Sequence, residues 1–114
     1  MSNDQAYLFD ILHSAYLILE FMYKINYEAF LEDRMRQDAV VRRTEIIGEA
    51  TKRLSKEFRD EHSEIPWKEM AGMRDKVIHR YDELDFEKIW KVVQIDIPIL
   101  IPQIEPLIPP DDEA

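Results

Sequence analysis

Apolar residues recur every three or four positions through most of the chain, which admits helices and little else. Leu8, Ile11, Leu12, Ala15, Ile18, Leu19 and Met22 predict an amphipathic helix from about residue 4 to 24, with Ser2, Asn3 or Asp4 available as its cap. Tyr27 to Leu31 reads as a further turn or two. A second long helix is expected from Asp33 to Phe58, striped by Val40, Ile46, Ile47, Ala50 and Leu54. Gly48 interrupts that stripe at a cost of about 1 kcal/mol in propensity, so a neighbouring backbone is expected to approach closely there. Pro66 suits the first position of a third helix, which should carry Met70, Met73 and Val77 inward and fade near Tyr81. Residues 82–85 read as a loop, with Asp85 capping a fourth helix marked by Phe86, Ile89, Trp90, Val93 and Ile97. Pro98 and Pro102 remove backbone donors, so a bend or break is expected there, with a frayed acidic end after Pro109. No segment alternates with period two, and β structure is not expected. The architecture predicted is an all-α, four- to five-helix up-and-down bundle.

At 114 residues, one domain spanning 1–114 is the expectation. The chain has no cysteine, which excludes disulfides, thiolate nucleophiles and cysteine-bound metals, and its two glycines leave little for a phosphate-cradling loop. A signal core and a membrane-length apolar run are both missing from the sequence, so a cytoplasmic protein with no membrane partner is expected. Net charge is −9, which on its own opposes a nucleic-acid partner. Its distribution points the other way: residues 1–33 sum to −5, residues 34–80 to +3 (twelve bases, nine acids) and residues 81–114 to −7. The middle stretch is locally basic, either as solvated helix faces or as a phosphate-binding zone.

Of the three histidines, His13 beside core positions and His62 in an acidic stretch read as structural or solvated. His79 keeps different company, because Arg74, Asp75, Lys76, Arg80 and Tyr81 lie within eight residues of one another around it. An imidazole, with an ordinary pKa of about 6.5, exchanges protons at neutral pH. A guanidinium stays charged and grips phosphoryl oxygens through paired hydrogen bonds. Together they suit metal-free cleavage of RNA, where the substrate's own 2′-hydroxyl is the nucleophile and the protein supplies proton transfer and charge stabilisation. The plainer reading, exposed helix charge with a histidine complementing a helix C-terminus, stays open beside it.

Geometry adds a condition. On a continuous helix Arg74 and His79 point about 140° apart, whereas Arg74 and Tyr81 nearly share a face. Either the helix ends before His79, or the two groups converge across a subunit boundary, and a homodimer with its cleft on the twofold axis is expected. On the preceding helix, Arg43, Glu45 and Glu49 form either ordinary surface pairs or a carboxylate support for Arg74.

The run Arg74-Asp75-Lys76-Val77-Ile78-His79-Arg80-Tyr81 resembles the R-x-x-x-x-H-x-Y motif of the HepT toxins, members of the HEPN superfamily of small helical ribonucleases. Residues 39–50, with Ile46-Ile47-Gly48-Glu49-Ala50 at their end, resemble the helix that accompanies it, as do Pro66-Trp67 and Asp96-Ile97-Pro98. The resemblance implies a HEPN-like fold and the toxin of a type VII toxin–antitoxin pair, a dimeric, metal-independent endoribonuclease with tRNA as first-named substrate. It implies catalytic roles for Arg74 and His79; beside them, the residues themselves lead us to expect Glu45, Glu49 and Asp75 in support and Arg42, Arg43, Lys76 and Arg80 contacting RNA. Tyr81 is then the tyrosine that a partner nucleotidyltransferase of MntA type modifies with AMP, placing bulk and negative charge beside a cleft meant for phosphates. No cofactor or metal is implied. The competing hypothesis is a non-catalytic, nucleotide-binding partner subunit of a minimal nucleotidyltransferase. A di-metal carboxylate bundle needs Glu-x-x-His pairs, which the sequence lacks.

Overall fold

In a computed structural model, which describes residues 3–81 and 83–109, the first helix, α1 (Asn3–Phe21), buries Leu8, Ile11, Ala15 and Ile18 along one face, and Met22 continues the stripe just beyond it. That face lies along α3 (Arg34–Arg53), which contributes Val40, Val41, Ile47 and Ala50. Between them, α2 (Tyr27–Leu31) is capped by Asn26, whose side chain accepts from the Ala29 amide at 2.8 Å, and drives Phe30 into the core. The buried Gln37 side chain donates to the carbonyls of Phe30 (2.9 Å) and Leu31 (3.2 Å), so the α2–α3 turn leaves those acceptors satisfied.

The expected helix from 33 to 58 is in fact two. Leu54 turns extended (φ −61°, ψ 142°), and Ser55 caps a separate α4 (Lys56–Glu61) by accepting from the Phe58 amide. The cause lies across the fold: both Asp4 carboxylate oxygens accept from Ser55, one from its amide and one from its hydroxyl, each at 2.8 Å. Asp4, a candidate cap for its own helix, thus pins a corner 51 residues away. Such charge-assisted bonds outweigh the helix propensity of the intervening residues.

The expected helix from Pro66 to Tyr81 is also divided. It comprises α5 (Trp67–Ala71) and α6 (Met73–Val77), joined at Gly72, and it stops four residues short of Tyr81. Trp67 is anchored by its indole N–H, which donates to the carbonyls of His62 (3.0 Å) and Arg59 (3.2 Å). Asp85 caps α7 (Phe86–Lys91) as expected, accepting from the Lys88 amide. Neither proline ends the final rod. A π-helical turn over Val92–Asp96 carries it into α8 (Ile97–Ile104), with Pro98 in its first turn and Pro102 inside, before a 3₁₀ turn at Glu105–Leu107. The π turn sits directly before Pro98, and there Ile97 N–H bonds to the Val92 carbonyl five residues back. The frayed end expected after Pro109 lies outside the described residues.

The result is all-α: no strand occurs among the described residues, and α1, α3, α5–α6 and α7–α8 surround one apolar core. Aromatic contacts tie α2 to α7, with Phe30 6.0 Å from Trp90 and 6.3 Å from Phe86 between ring centroids. No helix among the described residues is long and apolar enough to cross a membrane.

Candidate active site

Gly48 fixes where the site forms. A β-carbon placed there would sit 2.9 Å from the Ala71 carbonyl oxygen, so only glycine lets α5 approach α3 this closely. The close approach the sequence foretold is therefore real. It brings the next helix, α6, over the middle of α3, and Arg74 Nε comes 3.7 Å from Glu45 Oε2. Both side chains remain partly open to solvent, so the pair orients the guanidinium more than it stabilises the fold.

Beyond Val77 the chain leaves helical geometry. Ile78 is extended (φ −114°, ψ 125°) and forms an isolated antiparallel bridge with Leu84. The Asp85 amide donates to the Val77 carbonyl at 2.8 Å, the His79 amide to the Glu83 carbonyl at 2.7 Å, and the Glu83 amide to the Arg80 carbonyl at 2.8 Å. These three bonds close a hairpin-like loop. The β-branched pair Val77-Ile78 favours the extended form, and half-buried Ile78 and Leu84 pack against the core from both of its arms. Tyr81 stands at the tip with φ 54° and 96% exposure, a left-handed backbone that a bulky residue occupies at a cost of about 1–2 kcal/mol. Of the two ways the sequence left for Arg74 and His79 to escape opposite helix faces, the chain itself uses the first: α6 ends before His79.

Three clefts meet around these residues. The largest, about 640 Å³, runs between α1, α3 and α6, with Arg42, Lys52, Arg53 and Arg74 facing Asp10, Glu45, Glu49 and Asp75. A second, about 510 Å³, shares Arg74 and Glu45 with the first and adds Arg34, Gln37 and Glu83. The third, about 330 Å³, holds His79. Within one chain, Arg74 and His79 therefore line different clefts, and the walls common to the second and third are Glu83, Leu84 and Phe86.

The helical order, the Gly48 contact and the Arg74–His79 loop coincide with a match to the family model described as "Ribonuclease HepT-like", over residues 11–107. The chain belongs to the HepT-like ribonuclease family. It is 50% identical over 105 residues to "Probable ribonuclease HepT" of Thermococcus cleftensis, covering 92% of this chain and 96% of that one. It is 43% identical over 108 residues to "Putative RNase TTE0752" of Caldanaerobacter subterraneus subsp. tengcongensis, covering 95% and 96% respectively. No solved structure is a significant match. Membership in a HepT-like family supports ribonuclease activity and RNA as the class of substrate.

The remaining residues singled out for this HepT-like chain divide between faces. Arg42, Glu49 and Asp75 line the same cleft as Arg74 and Glu45. Lys76 does not: it points to the opposite side of α6, where Nζ lies 3.8 Å from Asp96 Oδ2 beside Ile99 and Leu100. Arg80 is exposed on the loop next to Tyr81, and Arg43 lines none of the three clefts. Among the described residues neither Arg43 nor Glu49 makes an ion pair, so the surface pairs open to them are not formed. His13 stacks on Phe9 at 6.1 Å, and His62 packs on Phe58 at 4.6 Å, away from all three clefts. Sequence reasoning passed over Tyr7, Asp10, Arg34 and Arg53 as site residues, because nothing in their spacing ties them to the Arg74 motif. It also passed over Glu83, whose link to His79 runs through a backbone hydrogen bond.

Proposed function

We propose that this protein is the toxin of a type VII toxin–antitoxin pair, a single-domain, metal-independent endoribonuclease acting as a homodimer in the cytoplasm, with tRNA as its first-named substrate. The carrying observation is the abrupt end of α6 at Val77, which leaves Arg74 supported by Glu45 and frees His79 from the helix. Arg74 binds the scissile phosphate and stabilises the charge that grows on it. His79 takes the proton from the 2′-hydroxyl as that oxygen attacks phosphorus, and an acid returns a proton to the departing 5′-oxygen. A twofold dimer supplies that acid as the partner's imidazole and brings each Arg74 toward a His79. Glu45 is a positioning residue for Arg74, with Glu49 and Asp75 on the same cleft. Arg42 contacts phosphate next to Arg74, while Arg43 and Arg80 contribute longer-range attraction for the strand; Lys76, turned to Asp96 on the other side of α6, is left out of that role.

Tyr81 is the acceptor for AMP from a partner nucleotidyltransferase of MntA type. Its exposure and its strained place at the loop tip support that role, since the hydroxyl can enter another enzyme's site without unfolding this one. The attached phosphate repels RNA at the neighbouring cleft. The test is purified protein incubated with tRNA in excess chelator, alongside sedimentation. Intact RNA across several substrates would defeat the catalytic reading, and a fully active monomer at micromolar concentration would defeat the dimeric one. Tyr81→Phe should cleave as wild type does while resisting silencing by the antitoxin and ATP. Silencing of Tyr81→Phe would show another acceptor.

A further inference from the structure

The first helix carries an aromatic stripe on the side turned away from the core. Phe9 is 57% exposed, Tyr16 44% and Tyr23 70%, and they stand seven residues apart, so they share one side of α1. His13 continues the stripe after Phe9 and stacks on its ring, with centroids 6.1 Å apart and planes 9° from parallel. The stripe outlasts α1 because the Met22 amide still donates to the Ile18 carbonyl (3.1 Å) and the Tyr23 amide to that of Glu20 (3.4 Å). Lys24 then turns left-handed (φ 60°), and its ammonium lies 5.3 Å from the Tyr23 ring centroid. Tyr16 is fixed by its hydroxyl, which donates to Glu105 Oε2 at 2.9 Å. Tyr7, in the wall of the Arg74 cleft, is nine residues from Tyr16 and points about 180° away from it. The stripe is therefore a surface apart from the candidate active site.

We infer that this stripe is a docking surface for a second copy of the chain, whose α1 lies antiparallel to the first about a twofold axis between Tyr16 and Leu17. The order of groups along the stripe is self-complementary. Reversal about that axis sets Phe9 against the partner's Tyr23, His13 against the partner's Glu20 and Asp10 against the partner's Lys24, each within about one residue, ~1.5 Å, of direct opposition. Symmetry makes every pairing twice. A parallel arrangement faces Asp10, Glu20 and Lys24 with their own like charges, which selects the antiparallel one. At ~200 Å² per aromatic side chain, the rings of two copies alone cover roughly 700 Å², and their flanks bring the contact to about 1,200 Å², the low end for specific pairs. The association is reversible rather than obligate. Bases also stack on such rings, but residues 1–33 hold one base, Lys24, against six acids, and Asp10, Glu20 and Glu105 flank the stripe, a balance that repels a phosphate strand.

The chain has no cysteine, so cysteines introduced singly into the full-length protein report the register. Tyr16→Cys should link to itself through a short bismaleimide. Phe9→Cys and Tyr23→Cys, mixed, should link to each other at least about fivefold more than either links to itself, since self-linking has to span ~21 Å of helix. Self-linking as strong as mixed linking, or no linking by any of the three, would overturn the assignment. Lys24→Asp should weaken association about fivefold, and adding Asp10→Lys to it should restore affinity to within about twofold. A charge-swapped chain as weak as Lys24→Asp alone counts against the antiparallel pairing. Sedimentation at micromolar concentration separates this interface from the dimer proposed for the Arg74 cleft. Phe9→Ser combined with Tyr23→Ser should fall below the mass of the unaltered protein, to a dimer if that cleft pairs and to a monomer if it does not. An unchanged mass would overturn the inference, and loss of RNA binding at unchanged mass would reassign the stripe to RNA.

Discussion

The α1–α3 pair and the segment from Gly72 to Asp85 are built on opposite terms. The first is two long helices joined along a continuous apolar seam, where side chains such as Leu8, Ile11, Val40 and Ile47 are fully buried. The second is a five-residue helix, a β-bridge and a turn, its loop after Val77 closed by three backbone hydrogen bonds and the whole carrying exposed Asp75, His79, Arg80 and Tyr81. Stability resides in the former and the proposed chemistry in the latter. A reactive imidazole has to reach its substrate, and a loop fastened to a rigid frame exposes it without exposing the core.

The sharpest way to break this division is to alter one region and read both properties. His79→Ala should lower RNA cleavage by about 10²–10⁴-fold while leaving the melting temperature almost unchanged, checked by kinetics and calorimetry on one preparation. A large fall in melting temperature would mean that His79 serves the fold. Gly48→Val reverses the experiment: its side chain meets the Ala71 carbonyl, so about 1–3 kcal/mol of stability should be lost, with activity falling as α5–α6 shift away from α3. Denaturant unfolding measures the first effect and a cleavage assay on the folded fraction the second. Glu45→Gln should be milder, reducing cleavage about tenfold through Arg74 and moving stability by less than about 1 kcal/mol, because the pair is partly exposed. An effect on stability that exceeded the effect on rate would reassign Glu45 to the frame.

The smallest effect concerns the frame alone. Hydrogen bonds from the Arg36 amide and then from its guanidinium hold the Asp33 carboxyl below its ordinary value of 3.8. A carboxyl depressed on folding adds stability that is complete above its unfolded pKa and is lost as pH falls through the folded one. Asp33→Asn should therefore flatten the acid limb of the stability curve below about pH 4, with no change near neutrality in the pH dependence of cleavage. Thermal melts across that range would detect it.

Much of the frame could be read from spacing. The stripe of α1, the inward Met70, Met73 and Val77, the Asp85 cap and the role of Gly48 all follow from local rules, and each is seen. The two long helices that proved divided show where such rules stop. Ser55 ends α3 because Asp4 reaches it from the far end of the chain, and Val77 ends α6 because Asp85 takes its carbonyl. The candidate site was legible as a list of residues, since Arg74, His79 and Tyr81 stand within eight positions. Its layout was not: Lys76, two positions from Arg74, faces Asp96 on another side of the molecule.

The sequence by itself determined the helical class, the faces turned inward and the chemical types gathered around His79, because periodicity and composition act through neighbours three or four residues apart. Only the tertiary structure decided where those helices end and which clefts their side chains enter. Such choices depend on hydrogen bonds between distant segments, Asp4 to Ser55 and Asp85 to Val77 among them, energies that no local pattern encodes.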